Sequence, residues 1–152
     1  VHSGLMYRAA ESASQAMRAM RQGSSASPQA TVAKAAVFVP MLVIHGVGDA
    51  AVHLTNADQV VEQAVTLSGH AAAAQLRTTQ HDAPDGEGRS YTTFEYRHGD
   101  RLLVRKILVE GLSHAWSGGN DELAFNDPQA PDASRMLWEF FLEFERDRPP
   151  TP

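Results

Sequence analysis

The run Pro40-Met41-Leu42-Val43-Ile44-His45-Gly46 limits the fold more than any other stretch of the chain. It opens on a proline, closes on a glycine and is continuously apolar from Met41 to Ile44. A short apolar run without polar alternation suits a strand covered on both faces, as in a parallel sheet with helices on either side. A helical pattern follows at 55–68, with Val60, Val61, Ala64 and Leu67 on its apolar face. Thr55 stands where an N-cap is expected, and Asp58 lies three residues on, where an acid favours the helix N-terminus.

The rest of the chain is read around that strand. Ala9, Ala13, Ala16, Met17 and Met20 recur at helical spacing over 8–22, with both methionines as core and Gly23 as the stop. Ser24 to Thr31 is a small-residue connector, and 69–89 reads as irregular, least structured over 82–88. Tyr91 to Tyr96 alternates like a strand, His98-Gly99-Asp100 is a turn, and Leu102 to Val109 is a second strand, so a hairpin is predicted. A loop rich in Gly, Asn, Asp and Pro spans 117–131. A closing helix from Pro131 to Glu145 is expected to bury Met136, Leu137, Phe140, Phe141 and Phe144, and the tail Pro149 to Pro152 cannot continue it. The order helix, strand, helix, hairpin, helix fits one end of an α/β sandwich.

Composition excludes several classes of function. The 152 residues carry a net charge of −5 with no basic stripe, which argues against nucleic acid and against an acidic membrane surface as partners. With no cysteine there are no disulfides, thiolate nucleophiles or zinc–thiolate sites. No stretch approaches the ~20 apolar residues of a membrane span. His2, His53, His70, His81 and His98 lack the spacing of metal ligands, and Asp121, Glu122 and Asp127 do not follow a calcium-loop pattern, so neither a metal nor another cofactor is expected. The opening Val1-His2-Ser3-Gly4 reads as the end of a buried strand and the turn after it; the expectation is a piece of a longer polypeptide.

Two loops carry candidate chemistry. His45-Gly46-Val47-Gly48-Asp49 and Gly111-Leu112-Ser113-His114-Ala115-Trp116 each follow a strand expected to be central. Ligands bind beyond the carboxyl ends of strands in open α/β sheets, so Asp49 and His114 are candidates to meet in space. A carboxylate that accepts one ring N–H fixes the imidazole tautomer and leaves the other nitrogen free to take a proton from a nucleophile. Singly, Asp49 also reads as a turn residue bonded to its own backbone, His114 as a hydrogen-bonded histidine at a strand end, and His45 as structural. Trp116 reads as a packing residue that lines a pocket, and is the candidate for substrate contact. The α/β-hydrolase order is Ser, then Asp, then His, which Asp49 and His114 satisfy. A Gly-x-Ser-x-Gly elbow between strand and helix is missing: Ser3, Ser24, Ser68, Ser113 and Ser117 all lack that setting.

The segments Pro40 to Gly46 with Asp49 and Val52, then Asn56, then Gly111-Leu112-Ser113-His114-Ala115-Trp116-Ser117-Gly118-Gly119, and Pro131-Asp132-Ala133-Ser134 together resemble the poly(3-hydroxybutyrate) depolymerase and related esterase family of α/β-hydrolases, which also includes feruloyl and acetyl-xylan esterases. Ser113 stands where that family more often has Gly. The resemblance implies that residues 1–152 are the C-terminal portion of one α/β-hydrolase domain, with a mostly parallel sheet flanked by helices and a β-hairpin before the His loop. It implies a serine esterase in which Asp49 and His114 complete a triad whose nucleophile and oxyanion hole lie upstream. An ester, polymeric or small, is then the expected partner, the chain alone is expected to be inactive, and export to the periplasm or the medium is suggested. A half-sheet exposes an edge, so a homodimer through that edge is also expected. A non-catalytic binding or assembly module derived from an α/β-hydrolase is the alternative.

Overall fold

The computed structural model describes residues 1–27, 38–83 and 88–145. Strand β1 (Met41–Gly46) is buried at five consecutive positions, from Leu42 to Gly46, as its apolar run predicts. Helix α2 (Thr55–Leu67) follows, then a single 3-10 turn at Ala71–Ala73. Strands β2 (Gln75–His81), β3 (Tyr91–His98) and β4 (Arg101–Val109) come next. Ahead of β1 lies α1 (Ala13–Gln22), and after β4 come the short pair β5 (Trp116–Ser117) and β6 (Asn126–Asp127) and helix α3 (Ala133–Glu145).

The main sheet has the order β1-β4-β3-β2. β1 and β4 are parallel, in register from Met41 opposite Val104 to Gly46 opposite Val109. β3 pairs antiparallel with both β4 and β2. The expected mostly parallel sheet is therefore corrected, over the described residues, to a mixed one. The reason is connection length: Gly99-Asp100 joins β3 to β4, and so short a link permits only antiparallel neighbours, whereas a parallel pair needs a crossover such as the one containing α2. The outer edge of β1 meets the start of the chain, where His2 forms a parallel bridge to Ile44.

Helices cover both faces of β1 and β4. Val60, Val61 and Ala64 of α2 pack with Val43, Leu103 and Val104 on one side. Ala133 and Phe140 of α3 pack with Leu42, Ile44 and Ile107 on the other. A buried Lys106 of β4 reaches Asp58 of α2 at 2.7 Å, which fastens that helix to the sheet.

Several sequence expectations need correction. Residues 75–81 form a strand inside the stretch read as irregular. Both faces of β2 are largely exposed, so no apolar alternation marks it, and backbone pairing with β3 makes the strand. The first helix begins at Ala13 and not at position 8. Arg8 has φ of +59°, outside the helical region, and the Ala9 N–H closes a turn onto the Met6 carbonyl at 3.2 Å. Ser12 then caps α1, accepting the Gln15 N–H on its side chain. Thr55 is the first helical residue of α2 and not its cap; Leu54 occupies the cap position without a side-chain bond. Met17 and Phe141, both expected in the core, are exposed on the outer faces of α1 and α3. α3 itself starts at Ala133, two residues after Pro131. Parts of the connector (28–31), of the 82–88 loop (84–87) and the whole tail 149–152 lie outside the described residues.

Phe140 is 2% exposed and Phe141 60%. Phe140→Ala is expected to lower unfolding free energy by about 3–5 kcal/mol, and Phe141→Ala by less than about 1 kcal/mol, as read from urea unfolding curves.

Candidate active site

The two candidate loops meet because the ends of β1 and β4 are stitched together. Beyond β1, Val47 N–H donates to the Val109 carbonyl at 2.9 Å and Gly48 N–H to the Leu112 carbonyl at 3.0 Å. Glycine is required at 46, since a Cβ there would overlap the Leu112 carbonyl. Gly111, with φ of +66°, supplies the left-handed turn by which the chain leaves β4.

Asp49 closes the first loop. Its Oδ1 accepts the Ala51 and Val52 N–H groups at 3.0 and 2.8 Å, the self-bonded turn expected of an Asp there. Its Oδ2 remains for a partner, and His114 Nδ1 lies 2.9 Å away. Sixty-five residues of sequence separate the two. The Asp49 side chain is fully buried, whereas that of His114 is 42% exposed. Burial opposes the charged carboxylate, but the Val52 N–H, His114 and the nearby Ser3 hydroxyl outweigh it and hold the Asp49 pKa below its ordinary value. A carboxylate accepts hydrogen bonds only, so the shared proton sits on His114 Nδ1.

Further histidines surround this pair. His45, fully buried at the end of β1, places Nε2 2.8 Å from the Val52 carbonyl and 3.8 Å from Asp49 Oδ2. Burial lowers its pKa, and its Nδ1 has no partner among the described residues. His2 stacks on Trp116 with ring centroids 4.8 Å apart and accepts the Ser117 N–H at Nε2, 3.1 Å away. Burial, with His45 and the Val1 ammonium adding to it, lowers the His2 pKa to about 4.

Trp116 lies in the His114 loop, as anticipated. Together with His2, Ser3, His114, Ala115 and Phe125 it lines an open hollow of about 340 Å³. His2, Ser3 and Phe125 were not legible as neighbours of His114: the first two reach it through the bridge to β1, and Phe125 through the β5–β6 pairing. Ser3, which also lines the hollow, has φ of +46° and a buried Oγ. Among the described residues no group of three or more His, Asp or Glu side chains is arranged to hold a metal ion, and no helix is long and apolar enough to cross a membrane.

Residues 1–85, which include β1 and Asp49, match the family described as esterase PHB depolymerase. The chain belongs to the esterase PHB depolymerase family. Membership places it among the ester hydrolases. His114 lies beyond the matched segment. No curated protein matches the chain.

The His2 shift fixes the sign of one pH effect. The unfolded chain protonates His2 near 6.5, the folded chain at about 4. Between these values the unfolded state binds the extra proton, so stability falls as pH drops through that window. His2→Phe keeps an aromatic stack without a titrating group. Its unfolding free energy is expected to depend less steeply on pH between 6.5 and about 4 than that of the wild type.

Proposed function

We propose that this chain is the C-terminal portion of an α/β-hydrolase domain and supplies the acid and base of a Ser-His-Asp ester hydrolase. One observation carries the reading: Asp49 Oδ2 and His114 Nδ1 are 2.9 Å apart at the shared rim of a parallel strand pair. Family membership supports it, and so do helices on both faces of β1 and β4.

In this reading a serine hydroxyl from upstream of Val1 attacks the ester carbonyl. His114 Nε2 takes the hydroxyl proton while Nδ1–H holds to Asp49, whose charge stabilises the imidazolium. The proton then passes to the leaving alcohol. Water repeats the sequence on the acyl-enzyme and releases the acid. Oxyanion donors also come from upstream. In this reading Ser3 is not the nucleophile, because its Oγ is buried and it lacks the Gly-x-Ser-x-Gly elbow between strand and helix. The substrate is an ester, polymeric or small, and the protein acts outside the cytoplasm, as family resemblance favours.

Fluorophosphonate labelling and 4-nitrophenyl acetate hydrolysis test the assignment. The chain alone is expected to be unlabelled and inactive. In the polypeptide that also carries the serine, His114→Ala and Asp49→Asn are each expected to lower kcat by roughly 10³-fold or more. Labelling of Ser3, or turnover by the chain alone that His114→Ala abolishes, would overturn the assignment of the nucleophile to upstream sequence.

A further inference from the structure

Two unfavourable features coincide at Phe125. Its φ is +61°, a left-handed conformation that bulky residues rarely adopt, and its side chain is exposed, with 76% of the residue open to water. Neither helps the fold. The surrounding loop nevertheless holds it there. Trp116 N–H donates to the Phe125 carbonyl at 2.7 Å, and Gly118 N–H to the Asp127 carbonyl at 2.9 Å. Asn126 Nδ2 donates to the Leu123 and Ala124 carbonyls, and Asn120 Oδ1 accepts the Glu122 N–H at 2.9 Å. Backbone strain that the neighbouring structure enforces tends to sit at binding and catalytic sites.

What this strain achieves is position. Phe125 lines the same hollow as Trp116 and His114. We propose that Phe125 is a specificity-determining residue: with Trp116 it forms an apolar wall that takes the carbon chain of the ester held beside His114. This rests on the ester-hydrolase reading above. The wall favours esters with longer apolar chains, since each methylene laid against an aromatic ring leaves water. An acetyl group offers little to hold.

The test is an NMR titration of the isotopically labelled chain with methyl butyrate and methyl acetate, for the wild type, Phe125→Ala and Phe125→Gly. Phe125→Ala removes the ring and keeps the strained backbone; Phe125→Gly removes both. Methyl butyrate is expected to shift the His114 and Trp116 signals in the wild type and to bind roughly fivefold more weakly to both variants. Methyl acetate is expected to respond alike in all three. The melting temperature of Phe125→Gly is expected to equal or exceed that of the wild type, because glycine adopts positive φ without strain. Unchanged butyrate binding in the variants, or a Phe125→Gly protein several degrees less stable, would overturn the role of Phe125 alone. A wild type in which methyl butyrate moves neither His114 nor Trp116 would overturn the apolar wall, while the labelling and kinetics of the preceding subsection decide the ester-hydrolase reading separately.

Discussion

Gly48 N–H and the Leu112 carbonyl, 3.0 Å apart, join the loop after β1 to the loop after β4. This contact and its neighbour, Val47 N–H to Val109, exist only because the two strands run parallel and end at the same level. An antiparallel pair would carry Asp49 and His114 to opposite ends of the sheet. The absence of a side chain at Gly46 completes the constraint, since the backbone of the His loop passes where a Cβ would stand. Asp49 and His114 are thus brought together by backbone hydrogen bonds at the rim of the core.

Sequence patterns reveal this core because burial leaves a mark. The apolar run Met41–Ile44 announces a covered strand, and the alternation from Tyr91 with the turn at Gly99-Asp100 announces the hairpin. β2 escapes notice for the opposite reason: Gln75–His81 is exposed on both faces and owes its form to pairing with β3. Phe141 and Met17 mislead because apolar residues on a helix are read as core, while a helix packed on one side leaves some of them in water. At the site, Asp49, His114 and Trp116 are legible from their loops. The approach of His2 and Phe125 is not, because it depends on pairing between segments that no local pattern links.

The site also departs from what stability alone favours. His45 is fully buried with one ring nitrogen unpaired among the described residues, His2 is held neutral to low pH, and Phe125 sits in a strained conformation. Buried polar groups and strained backbone lower stability, so their concentration around one Asp–His pair has a physical meaning. Among the described residues, His114 is the partly exposed partner of the buried Asp49 carboxylate.

The protonation of His114 is the most direct measure of that partnership. Nitrogen-15 NMR of the imidazole reports which ring nitrogen carries the proton in the neutral form. Coupling to Asp49 predicts the Nδ1–H tautomer in the wild type and a shift away from it in Asp49→Ala. A wild-type imidazole protonated at Nε2, unaltered by Asp49→Ala, would contradict the account.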